Sequence, residues 1–151
     1  MVEAFSETSV AGRGTLHMLD PEKLSWVEWG MKGAYFKLMN VDPASGRFAL
    51  LIKLDKEFIA PTHRHVGAVE GMVLEGAFHY EEEPHIRFVA GTYLLEKDGA
   101  VHRPVSPEGA LMFAVFHGPV EVLDQQGRVV ASIDWRWHLD TWKAAATATV
   151  T

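Results

Sequence analysis

In the run Arg47 to Asp55, the apolar residues Phe48, Leu50, Ile52 and Leu54 fall on alternate positions, so an extended chain puts all four on one face. A helix would scatter them around its axis. Similar short runs occur at Ala34 to Val41, Val69 to Leu74, Ala77 to Tyr80, Ile86 to Val89, Thr92 to Glu96, Ala110 to Phe116, Val120 to Leu123 and Val129 to Ile133. Between them lie turn-forming clusters, among them Asp42-Pro43-Ala44-Ser45-Gly46, Lys97-Asp98-Gly99, Ser106-Pro107-Glu108-Gly109 and Asp124-Gln125-Gln126-Gly127. Strands so short and evenly spaced predict an all-β antiparallel sandwich or barrel. One helix is expected, capped by Asp134 and running from Trp135 to about Ala146, with Leu139, Trp142 and Trp135 toward a sheet.

A chain of 151 residues has the length of one domain, 1–151, with its core at about 33–135. Both ends, before Leu24 with its Gly12 and Gly14 and after Ala144, are expected to be loosely held. The net charge of -6 argues against nucleic acid and anionic lipid as partners. Neither a secretory leader nor a membrane-length apolar run is visible, so a cytoplasmic protein is expected. Cysteine is absent, which removes thiol nucleophiles, disulfides and sulfur-ligated metals. A metal site must therefore draw on His, Asp or Glu.

Such a set is present in Thr62-His63-Arg64-His65-Val66-Gly67-Ala68-Val69-Glu70. On a strand, His63 and His65 point to the same side, about 7 Å apart at Cα, close enough to share an ion. Arg64 between them should face outward and pair with an acid. Glu70, beyond a turn at Gly67, is a candidate for a further ligand. His102, three residues past Gly99, begins a returning strand and is a candidate from a neighbouring hairpin, with Gly76, Gly91 and Gly99 expected at hairpin turns. His17, His79, His85, His117 and His138 are scattered and receive no role.

These residues resemble the two motifs of the cupin superfamily: a histidine pair followed by glutamate and glycine, then Gly91 to His102. The resemblance implies a single antiparallel jelly-roll barrel with a metal inside. In the second motif Lys97-Asp98-Gly99 stands where a proline usually precedes the glycine. With the stretch Phe116 to Trp135, residues 33 to 143 are similar to acetylacetone-cleaving and 2,4'-dihydroxyacetophenone dioxygenases. That likeness implies one divalent ion, Fe(II) before Zn, Ni or Mn, held by His63, His65 and His102, with Glu70 not required as a ligand. Gly71 and Glu81 stand near positions where those dioxygenases suggest bulkier or basic pocket residues. The segment is also similar to ChrR-like cupins, which implies zinc and a regulatory role.

The expected reaction is cleavage of a carbon–carbon bond in a small β-diketone or hydroxyketone by dioxygen. A zinc sensor without turnover and a metal-dependent isomerase or hydrolase are the alternatives. Glu96 is the candidate acid or base beside the ion. If Glu70 faces inward, parity assigns Met72 and Leu74 to the pocket, and the resemblance adds Met112, Ala114 and Phe116. Phe78 and Tyr80 are candidates for closing its mouth or for cross-strand pairing. Partners are then a ketone and O2, in a homodimer or homotetramer.

Overall fold

The computed structural model describes residues 6–9 and 15–148. The expectation of loosely held ends falls in part on residues 1–5, 10–14 and 149–151, outside that range. In chain order the strands are β1 (Ser6–Ser9), β2 (Thr15–Met18), β3 (Val27–Glu28), β4 (Ala34–Asp42), β5 (Arg47–Leu54), β6 (Phe58–Ile59) and β7 (His63–His65). They continue with β8 (Val69–Tyr80), β9 (Glu83–Val89), β10 (Tyr93–Glu96), β11 (Val101–His102) and β12 (Pro104–Ser106). The last are β13 (Ala110–Phe116), β14 (Val120–Leu123) and β15 (Val129–Ile133), followed by the helix α1 (Trp135–Ala148).

The ladders among these strands are antiparallel. The larger sheet runs β3-β4-β5-β13-β8-β12-β6, with β9 and β10 also on β8. A smaller sheet runs β11-β7-β14-β15. The alternating run read from the sequence is β5, whose Phe48, Leu50, Ile52 and Leu54 are all buried. They pack with Phe36 and Leu38 of β4 and with Met112, Ala114 and Phe116 of β13 in one core.

The runs Val69 to Leu74 and Ala77 to Tyr80 are one strand, β8, so Gly76 lies inside a strand and not at a hairpin turn. A side chain there would meet a wall of backbone: a Cβ on Gly76 would fall 2.0 Å from the carbonyl oxygen of Gly109, and its φ is +70°. The glycine lets β8 leave its pairing with β13 and β10 and continue against β9 and β12. One strand thereby serves two stretches of a curled sheet.

Helix α1 begins where the sequence placed it. Asp134 accepts the backbone N–H of Trp137 at 2.9 Å, satisfying one of the free donors of the first turn. Trp142 is buried, and Trp135, Trp137 and Leu139 pack on the same core. Among the described residues no helix is long and apolar enough to cross a membrane.

Candidate metal centre

Strands β11, β7 and β14 set the geometry. His102 lies directly across from His63 on β7, and Val120 lies across from His65. Between the two histidines Arg64 turns the other way and bonds Glu121 of β14 at 2.9 Å, as its parity required. The turn after β7 is set by close backbone contact: a Cβ on Gly118 would lie 1.9 Å from the carbonyl oxygen of Val66.

The three imidazoles form a nearly equilateral triangle, with ring centroids 4.8 Å, 4.8 Å and 4.9 Å apart. One nitrogen from each lies within 4.8 Å of the others. His65 and His102 approach closest, with their Nε2 atoms 3.0 Å apart. Two ligand nitrogens on one ion at about 2.1 Å each stand about 3 Å apart at right angles, so this spacing suits a shared cation. Two facing lone pairs repel, and a proton or a cation between them removes the conflict. His63 is oriented for the same purpose. Its Nδ1 lies 3.0 Å from the carbonyl oxygen of Pro61 and donates to it, which leaves the Nε2 lone pair free.

Glu96 completes the cluster. On β10 it stands opposite Val69, and it shares the inward face with Leu94. Its Oε2 is 2.6 Å from His65 Nε2 and 3.6 Å from His102 Nε2. The other oxygen, Oε1, accepts the hydroxyl of Tyr80, whose ring stacks on His102 at 4.2 Å and 15°. Burial raises the Glu96 pKa, but the hydrogen bond and charge of His65, the charge of His102 and the Tyr80 hydroxyl outweigh it, so the net shift is downward. Burial, then the neighbouring imidazoles, pushes His63 down to about 4. His102 is lowered too, chiefly by burial. Imidazoles converging beside a carboxylate are a donor set a divalent cation takes.

Glu70 is not part of this cluster. It is exposed on the outer face of β8, opposite Leu95 and Val115. Met72 and Leu74 share its parity and are 44% and 47% exposed, so their expected place in the pocket is also corrected. The inward set on β8 is Val69, Gly71 and Val73. A Cβ on Gly71 would come 2.3 Å from the carbonyl oxygen of Phe113, so no bulkier residue fits at this point of close strand approach. Met112, Ala114 and Phe116 do line the cavity beside the histidines.

That cavity, about 100 Å³, is walled by apolar side chains including Trp29, Met31, Phe58 and Phe78, with His63, His65 and Glu96 at its polar end. On the far side of Glu96 a more polar outer cleft is lined by Tyr80, Glu82, Phe88, Lys97 and His102. Sequence reasoning left Tyr80 between two roles. Its contact with Glu96 depends on a crossing that no local pattern reports.

A family model described as the ChrR cupin-like domain matches residues 15–121. The chain belongs to that family. This cupin is also 25% identical over 116 residues to the acetylacetone-cleaving enzyme of Acinetobacter johnsonii, covering 74% of this chain and 76% of that protein. The crystal structure of an acetylacetone dioxygenase from Acinetobacter johnsonii superposes with a TM-score of 0.74 at 23% identity, over 81% of this chain and 89% of the other. An RmlC-like cupin protein from Ralstonia eutropha gives 0.82 at 23% identity, over 87% of each chain. The anti-sigma ChrR complex with SigE from Rhodobacter sphaeroides gives 0.53 at 25% identity, over 63% of this cupin and 49% of the other chain.

Proposed function

We propose that this cupin is a mononuclear non-haem Fe(II) dioxygenase that cleaves a carbon–carbon bond in a small β-diketone or hydroxyketone. The observation that carries this reading is the cluster of His63, His65, His102 and Glu96, of which His63, His65 and Glu96 line an otherwise largely apolar cavity. Likeness to the acetylacetone-cleaving enzyme supports the substrate class. His63, His65 and His102 would hold the ion. When bound, it supplies Lewis acidity and free coordination positions for substrate and dioxygen.

The side chains of the chain itself do the rest. Glu96 Oε2, the carboxylate oxygen turned toward the imidazoles, takes the proton from the carbon between two carbonyls and leaves the enolate. Trp29, Phe58, Phe78 and Phe116 exclude water from the reacting carbon. Among the described residues no Lys or Arg lines the cavity, so a neutral ketone suits it better than a carboxylate-bearing one.

The test is oxygen uptake by protein loaded with Fe(II) under anaerobic conditions and then given acetylacetone and related ketones in air-saturated buffer. Uptake is expected from the parent and not from His102→Ala, with bound iron falling from near one ion per chain to near zero. Iron-loaded parent that consumes no oxygen with any such ketone defeats the reading, and turnover without oxygen would indicate an isomerase or hydrolase.

The family match favours one other reading, a ChrR-like zinc-binding sensor. Its four-ligand version loses support because Glu70 faces outward, and Glu96 would have to take that place. Retained zinc, no oxygen uptake and binding of a sigma factor would select it. The outer face carrying Met72, Leu74, Tyr93, Leu95 and Phe113 supports self-association as a homodimer or homotetramer.

A further inference from the structure

We propose that Tyr80 is a positioning residue that divides the two oxygens of Glu96, holding Oε1 so that Oε2 meets the imidazoles, while its ring fixes the plane of His102. The inference rests on the metal-centre reading only for its effect on affinity; the geometry it concerns belongs to the chain alone.

Three observations carry it. The Tyr80 hydroxyl is bonded to Oε1, and His65 Nε2 lies 2.6 Å from Oε2, so the carboxylate is fixed at both ends and cannot turn about its own axis without losing one partner. A hydroxyl donating to an ionised carboxylate away from bulk water makes a charge-assisted bond, stronger than one between neutral groups. The same phenol ring covers His102 face to face, and it is backed by Phe88 at 5.4 Å and Phe78 at 5.6 Å.

The position explains why one residue reaches both groups. Tyr80 is the last residue of β8, paired with Pro104 of β12 and with Glu83 across the hairpin tip. It therefore stands beside the chain that leaves His102, while Glu96 ends β10, which is paired with the start of β8. The curl of β8 past Gly76 is what brings its far end round to the site. Glu96 lines both the cavity and the outer cleft, and Tyr80 meets it from the cleft side.

Two variants separate the roles. Tyr80→Phe keeps the ring and removes the hydroxyl; Tyr80→Leu removes both. In metal-free protein, long-range ¹H–¹⁵N NMR reads the imidazoles directly. The His65 ring signals are expected to move in both variants, because the carboxylate at Nε2 is freed, whereas the ring-current shift on His102 is expected to be lost only in Tyr80→Leu. With Co(II) as probe, about tenfold weaker binding and an altered visible spectrum are expected for Tyr80→Phe, and a larger loss for Tyr80→Leu. Tyr93→Phe on the outer face is the control and should match the parent.

His65 signals unchanged in Tyr80→Phe would overturn the proposal, whatever the metal result. A parent that fails to bind Co(II) while the NMR differences persist would instead count against the metal centre and leave the positioning role standing. Unaltered far-UV circular dichroism in Tyr80→Phe guards against a folding artefact; should Tyr80→Leu unfold, Tyr80→Phe alone decides.

Discussion

His138 is a histidine that sequence reading left without a role, and its surroundings set its protonation. It is fully buried against Phe48, with ring centroids 4.3 Å apart. Its Nε2 accepts the indole N–H of Trp29 at 2.9 Å, and its Nδ1 donates to the carbonyl oxygen of Asp134 at 2.7 Å. Both nitrogens are thus used by the neutral ring. Burial pushes its pKa down to about 4, although the Asp134 carbonyl and charge pull the other way. The folded state therefore refuses a proton that the unfolded chain accepts near 6.5. The contribution to stability is complete above about pH 6.5 and is lost as pH falls toward 4, by roughly 3 kcal/mol in all. Urea titrations of the parent across that window should show this decline, and His138→Gln, which cannot titrate, should show a shallower one. Equal slopes for parent and variant would remove His138 as the cause.

At the level of the element, β8 decides most. Gly76 and Gly91 both have positive φ, +70° and +88°, yet a Cβ on Gly76 meets the Gly109 carbonyl at 2.0 Å while one on Gly91 meets nothing within 4 Å. Gly91→Ala should cost about 1 kcal/mol of backbone strain, and Gly76→Ala at least about 2 kcal/mol more, because backbone must move as well. Urea midpoints of the two variants check this; similar midpoints would mean that β8 and β13 separate easily. The strands themselves were legible because apolar residues alternate with polar ones along β5 and because turn clusters bound each run. The direction of β8 was not, since Val69, Gly71 and Val73 on one side and Met72 and Leu74 on the other are all apolar or small, and alternation then carries no sign. The same loss of sign misplaced Glu70. His63 and His65 were legible because two residues apart on a strand is a local fact. Tyr80 and Glu96, 16 residues apart, and Trp29 and His138, 109 apart, meet only through long-range packing.

For the molecule as a whole, the outer surface of β10, β8 and β13 departs from a water-facing sheet. Tyr93, Met72 and Phe113 lie side by side in register, 59%, 44% and 38% exposed, with Leu74 and Leu95 next to them. An apolar row this wide on an isolated chain is typical of a contact surface. Sedimentation equilibrium should find a dimer or tetramer, and Met72→Glu with Phe113→Glu should shift it toward the monomer. A parent that sediments as a monomer at micromolar concentration would end that expectation.

The tie between Trp29 and His138 reaches further than its two rings. Trp29 forms part of the cavity wall, yet its indole is anchored to the C-terminal helix. Helix α1 is therefore a remote brace of the cavity wall, and truncating it is expected to change which small molecules the cavity admits without touching a single histidine of the triangle.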